Sequence, residues 1–269
     1  MKTNKIPSEG ISRTRHGSDL NLNRRCFMKG ATAAAVASTG VSLSWTDGAS
    51  AAQSRGGHMK VAVGGAATTD TLDIGSTGGA HNQSIIESVR SKLVDQLADG
   101  SLVPDLATEW GPSDGGKRWT FKLRNGVEFH NGKTVSTQDV IDSINVHRGP
   151  ETKAAGASLM KIVSNITTDG NDVVFELSEP AADFAYYLGQ TIFSICPSKD
   201  GVVDQSGVGS GAFVLEQFDP GVRGSGKRNP NYYRDSETYL DSFELLGVND
   251  TTALSNALLA GEVHAIQPV

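Results

Sequence analysis

The stretch from Trp119 to Ile144 sets the narrowest limits on how this chain folds. Trp119, Phe121 and Leu123 alternate with Thr120, Lys122 and Arg124, so a strand here buries one face and wets the other. Asn125-Gly126 and Asn131-Gly132 flank Val127–His130, and both are turn dipeptides. Ser136-Thr137-Gln138-Asp139 then reads as a capping box. It opens a helix that carries Val140, Ile141 and Ile144. A chain that moves so quickly from a period of 2 to a period of 3.6 is neither all-helical nor all-β.

The flanking segments extend this mixed pattern. Met59–Gly64 reads as a strand, followed by a loop through Thr68, Thr69, Asp70, Thr71, Leu72 and Asp73. Ile85, Ile86, Val89, Leu93, Val94 and Leu97 recur at helical spacing, and Asp99-Gly100 ends that helix. Lys161–Thr168 and Asp172–Ser178 form a hairpin about Asp169-Gly170-Asn171. Gly207–Gly211 reads as a flexible glycine stretch, and Ala212–Phe218 and Phe243–Val248 as strands. Asn249-Asp250 caps a helix through Leu254, Ala257, Leu258 and Leu259, stopped by Gly261. The expected class is α+β or mixed α/β, with mixed sheets.

The first 51 residues read as an export signal. Arg24-Arg25, Phe27 and Lys29 precede an Ala- and Gly-rich apolar run, and Ala49-Ser50-Ala51 supplies small residues for cleavage after Ala51. The pattern resembles a twin-arginine signal; an ordinary secretory signal is the alternative. Cys26 precedes the apolar run, against lipid anchoring. Residues 52–269 retain 17 basic and 27 acidic side chains, against a net charge of −6 for the whole chain. Such a balance disfavours nucleic acid as a partner, since phosphate binding needs a basic face. Only Cys196 remains beyond the signal, so no disulfide forms within that part.

Side chains that could carry chemistry are scattered. His81, His130, His147 and His264 lack ligand spacing, so no metal or other cofactor is expected. Asp139 and Asp142 suit a helix amino end better than acid–base work. Cys196 reads as a buried thiol, and Trp110, Tyr186 and Tyr187 as packing residues. Gly209-Ser210-Gly211 reads as a tight turn.

The chain resembles the family 5 extracellular solute-binding proteins, the peptide, dipeptide and nickel receptors of ABC importers. Five ordered motifs carry the resemblance: Pro104–Trp110, Trp119–Lys133 with Asp139–Ile144, Gly207–Leu215, Lys227–Tyr233, and Tyr239–Phe243 with Asn256–Ile266. Tyr233 stands where the family has Trp, and His264 where Asp is usual. The resemblance runs from Met59 to the last residue.

It implies the N-terminal lobe of a periplasmic-binding-protein-like fold (type II, cluster C) with an extra small subdomain. Residues 52–75 and 200–269 would form the lobe core and 76–199 the inserted subdomain, with the second lobe absent. It also implies a non-enzymatic, monomeric receptor in the periplasm. That receptor would capture peptides or other small solutes and deliver them to a membrane permease with its ATPase. Nickel, haem, opines and oligosaccharides share the scaffold. In such receptors the loop Thr68, Thr69, Asp70 and Thr71 faces the cleft and offers backbone groups to an extended ligand; a plain solvent-exposed turn is the alternative. An exported interaction module, a non-functional truncated product and a periplasmic enzyme are the competing readings.

Overall fold

In the computed structural model, residues 55–76 and 78–268 are described. The export-signal residues Arg24, Arg25, Phe27 and Lys29, with the cleavage site after Ala51, lie outside them. Ala52–Val269 forms one compact unit. Among the described residues, no helix is long and apolar enough to cross a membrane.

Strand β1 (His58–Val63) alternates its side chains between two small cores. Val63 and the partly buried Val61 pack with Ile85, Val89, Phe243 and Leu245, whereas Ala62 packs with Leu254 and Val263. β1 therefore sits inside a sheet covered on both faces. The sheet has five strands. Two form an antiparallel hairpin, β10 (Phe213–Asp219) and β11 (Arg223–Arg228), and the others are β12 (Ser242–Gly247), β1 and β13 (Ala265–Gln267), in the order β10-β11-β12-β1-β13. β1 is parallel to β12 and to β13. Helix α1 (Ala80–Val89) covers one face. Helix α5 (Thr251–Leu259), capped by the Asp250 side chain on the Ala253 amide at 2.7 Å, links β12 to β13 over the other.

The second layer is a four-stranded antiparallel sheet in the order β4-β5-β7-β6. Its strands are β4 (Ala107–Ser113), β5 (Arg118–Leu123), β6 (Val163–Asp169) and β7 (Asp172–Leu177). Trp119, Phe121 and Leu123 are buried as their alternation requires. Phe121, Phe175 and Phe184 meet edge to face, with centroids 5.2–6.4 Å apart. Helix α2 (Thr137–Asn145) begins with the capping box of Ser136 and Asp139 and buries Val140 and Ile144. Short elements complete the layer: β2 (Val94–Gln96) with β3 (Leu102–Pro104), α3 (Ala157–Met160), α4 (Phe184–Tyr187), and β8 (Ser198–Lys199) with β9 (Val202–Val203).

One expectation is corrected. The helix expected through Leu97 stops at Val89, because Arg90 is extended, at φ −122° and ψ 154°. Leu93 and Val94 enter the aromatic core, and Asp99-Gly100 turns the β2–β3 hairpin, with Gly100 at φ +86°. Next, the expected inserted segment 76–199 includes α1, which packs on the five-stranded sheet, while β8 and β9 pack on α2. β11 carries no apolar alternation. A Cβ on Gly224 would lie 2.6 Å from the Ile85 side chain, and one on Gly226 2.6 Å from the Val214 carbonyl. These glycines let α1 and β10 approach the strand closely.

Candidate functional site

The three parallel strands end flush: Val63 is in register with both Gly247 and Gln267. Loops outside the carboxyl ends of parallel strands are where open α/β sheets place ligands. Here several segments are locked together at that edge. Gly64 N–H donates to the Gln267 carbonyl at 2.9 Å, Val248 N–H to Val63 at 2.9 Å, and Gly247 N–H to Val222 at 2.8 Å. The Asn249 side chain grips Ala66 twice, accepting from its amide and donating to its carbonyl, each at 2.9 Å. A Cβ on Gly247 would lie 2.5 Å from Ala66 Cβ, so glycine is required for this approach.

Helix α1 starts at the same edge. His81 N–H donates to the Gly64 carbonyl at 3.1 Å, and the helix begins at Gly79 with no side-chain cap. A Cβ on Gly79 would lie 2.0 Å from the Gly65 carbonyl oxygen. The positive end of the α1 dipole thus points at the strand ends. This helix start was missed in the sequence; its signal was the Gly78-Gly79 pair before the apolar run.

The four expected loop residues divide into two pairs. Ala67–Asp70 is a turn, closed by Asp70 N–H on the Ala67 carbonyl at 2.9 Å. Thr68 and Thr69 stand exposed at its tip, and their amides engage no partner among the described residues. Asp70 points inward with 5% exposure. Its Oδ2 lies 3.0 Å from Nδ1 of the fully buried His81 and accepts from Ala67 N–H at 3.2 Å. Thr71 is half-buried, and its amide donates to Asn82 Oδ1 at 3.2 Å. Asp70 and Thr71 therefore anchor the loop, and Thr68 and Thr69 are the pair it presents.

The remaining candidates join the layers. Gly209 and Gly211 are packed rather than flexible: a Cβ on Gly209 would lie 2.1 Å from the Val89 carbonyl oxygen. His130 Nδ1 accepts from Gly209 N–H at 3.3 Å and Nε2 lies 3.1 Å from the Gly211 carbonyl. Burial lowers its pKa, which suits a neutral ring donating from Nε2. His147 and His264 likewise bond backbone groups. Among the described residues, no three His, Cys, Asp or Glu side chains are grouped to hold a metal.

Asp139 does more than face a helix dipole. Burial alone would raise its pKa, but the Lys133 ammonium, the Ser136 hydroxyl and the Ser198 amide outweigh that and lower it. Cys196 is a buried thiol pushed up to about 11 by burial. Trp110 and Tyr187 pack on the aromatic core, whereas Tyr186 is exposed. The motifs of the resemblance also meet one another. Tyr233 donates its hydroxyl to Asp105, Arg234 Nη1 reaches the same carboxylate at 3.1 Å, and Asn229 Nδ2 donates to the Gly211 carbonyl at 3.0 Å. They are joints between the two layers, set apart from the strand-end loops.

Comparison with known proteins agrees with this architecture. Residues 101–269 match the model of the bacterial extracellular solute-binding proteins, family 5 Middle. The probable D,D-dipeptide-binding periplasmic protein DdpA of Escherichia coli K12 is 29% identical over 189 residues, 63% of this chain and 36% of its own length. The periplasmic murein peptide-binding protein MppA of the same organism is 24% identical over 218 residues, 72% of this chain and 40% of its own. This chain therefore spans about two fifths of the length of these relatives. Among solved structures, the binding protein AgaA from A. tumefaciens R10, in complex with agropinic acid, aligns with a TM-score of 0.69 at 26% identity, covering 77% of this chain and 43% of that one. DppA from Helicobacter pylori, in complex with the peptide STSA, aligns at 0.66 and 24% identity, covering 78% and 46%. The mixed sheets are those of a lobe of the periplasmic-binding-protein fold, and the chain belongs to the family 5 bacterial extracellular solute-binding proteins.

Proposed function

We propose that this chain is the solute-capturing component of an ABC import system, that peptides are its solute class, and that the peptide lies along the carboxyl edge of β12, β1 and β13. The observation that carries the reading is the exposed Thr68-Thr69 tip beside the uncapped start of α1. Main-chain groups at such an edge pair with an extended peptide whatever its side chains. A helix amino end favours a carboxylate or carbonyl oxygen. In this reading the protein is a binding protein and not an enzyme. It works as a monomer in the periplasm after twin-arginine export, and passes its solute to a permease with its ATPase. The five-stranded layer is the lobe core and the aromatic layer the small subdomain. An opposing lobe closes over the edge, and closure buries the solute from both sides.

Calorimetric titration with di- to pentapeptides tests this. Thr68→Pro and Thr69→Pro remove one amide donor each and should weaken peptide binding about tenfold. Thr68→Ala and Thr69→Ala keep the amides and should leave it unchanged. Equal binding by all four variants would sink the backbone-recognition reading. The likeness to AgaA, solved with agropinic acid, favours a small opine-type solute as the second reading. Heat with agropinic acid and none with any peptide would select it.

A further inference from the structure

Between α2 and α3 the chain loops through residues 146–156. Gly149, at φ +114°, and Pro150 keep α2 from continuing. The loop is pinned at three points. The Thr152 hydroxyl donates to the Val146 carbonyl at 3.0 Å, Ala155 N–H to the Gly75 carbonyl at 2.8 Å, and Gly156 N–H to His147 Nδ1 at 3.3 Å. Held in this way, the loop encloses an open cavity of about 950 Å³ with α3 and the start of β6. Small-molecule sites run from roughly 300 to 1,000 Å³.

The wall of this cavity carries Arg148, Lys153 and Lys161, and no Asp or Glu lines it. That runs against the composition, since residues 52–269 hold 27 acidic side chains and 17 basic ones. Among the described residues, none of the three cations forms an ion pair. Arg148 Nη1 donates to Asn145 Oδ1 at 2.9 Å, and Nη2 to the Val163 and Ser164 carbonyls at 3.1 and 3.2 Å. These neutral oxygens fix the plane of the guanidinium without cancelling its charge. Burial lowers its pKa, and no carboxylate works against that. Lys153 and Lys161 are exposed, and their ammonium groups engage no partner among the described residues. Glu151, between Arg148 and Lys153 in sequence, is exposed and off the cavity wall. Asp73, whose charge reaches His147, accepts from the Gly75 amide at 2.8 Å. His147 turns both ring nitrogens to backbone groups, so the three cations set the charge of the cavity.

We propose that this cavity binds a small polyanion, a molecule carrying two or more phosphate or carboxylate groups. The fixed guanidinium of Arg148 seats one group, and Lys153 and Lys161 bring mobile point charges to the others. Several charges are needed because a single exposed ion pair contributes little. A concave wall suits a small molecule better than a flat membrane surface. The site shares no lining residue with the loop of Thr68 and Thr69, so it stands whatever the solute at the strand ends.

Calorimetric titration of the full chain at low salt tests the site, with pyrophosphate and citrate as polyanions and acetate as the monovalent comparison. At least one polyanion should bind about tenfold or more tightly than acetate, and its binding should weaken as salt is raised. Lys153→Gln and Lys161→Gln should each weaken it about fivefold. Lys199→Gln removes the same charge from an exposed lysine off this cavity and should leave it unchanged. All three lysines are on the surface, so the variants keep the fold. Equal weakening in the three would reduce the effect to general surface charge and sink the site. So would acetate binding as tightly as the polyanions, or no heat with either of them. Co-sedimentation with phosphatidylglycerol vesicles, without binding of either polyanion, would assign the cations to a membrane surface instead.

Discussion

Asp70 shows how one carboxylate can be near a site without belonging to its surface. It lies two positions beyond the exposed Thr68, yet its Oδ2 is turned inward to His81 and the Ala67 amide. Removing His81 leaves a buried acid short of a partner, which costs more than a missing contact on the surface. His81→Phe should lower stability by about 3 kcal/mol, whereas Thr68→Ala should stay within about 0.5 kcal/mol of the parent. Urea denaturation of both variants measures the contrast, and equal midpoints would remove the anchor role. The sequence marked Asp70 by its loop but not by its direction. Nothing in Thr68–Thr71 says which side chain turns in, because that is decided by His81, a histidine eleven residues on.

Between elements, the joint of His130 with Gly209 and Gly211 makes a pH prediction. Burial lowers the His130 pKa from 6.5, and the pKa of His147 is lowered in the same direction by the same cause. Well above pH 6.5 both rings are neutral in the folded and unfolded chains, so the full stability is present. As the pH falls, the unfolded chain takes up the proton first, and stability is lost until the folded rings also titrate. Chemical denaturation between pH 7 and pH 5 should therefore show decreasing stability, with a shallower slope in His130→Asn; an unchanged slope would discount the joint. At this scale the sequence was legible wherever a local rule decided the outcome. The β5 alternation, the capping box of α2, the β6–β7 turn and the Asp250 cap all follow from neighbouring residues. It failed where a distant partner decided. Helical spacing from Ile85 to Leu97 arises from a helix plus two residues recruited by the aromatic core, and β11 is a strand through its pairing with β10 and β12, its glycines lying against α1 and β10. The helix start that completes the candidate site belongs to this second group.

Across the whole molecule, the two flanks of the five-stranded sheet are unequal. Among the described residues β13 pairs only with β1; it is short and follows α5, whose Leu258 and Leu259 are exposed, the latter at 86%. α5 buries only Leu254 fully. An open strand edge beside exposed leucines is a template for association, and the proposed monomer depends on that flank staying uncovered by a second copy. Light scattering should therefore show the monomer mass in dilute solution and a rise only in concentrated protein. Leu259→Lys should suppress that rise while moving the unfolding free energy by no more than about 0.5 kcal/mol, since the side chain makes little contact to lose. Mass that rises equally in the variant would place association at the β10 edge instead, where Val222 is also exposed.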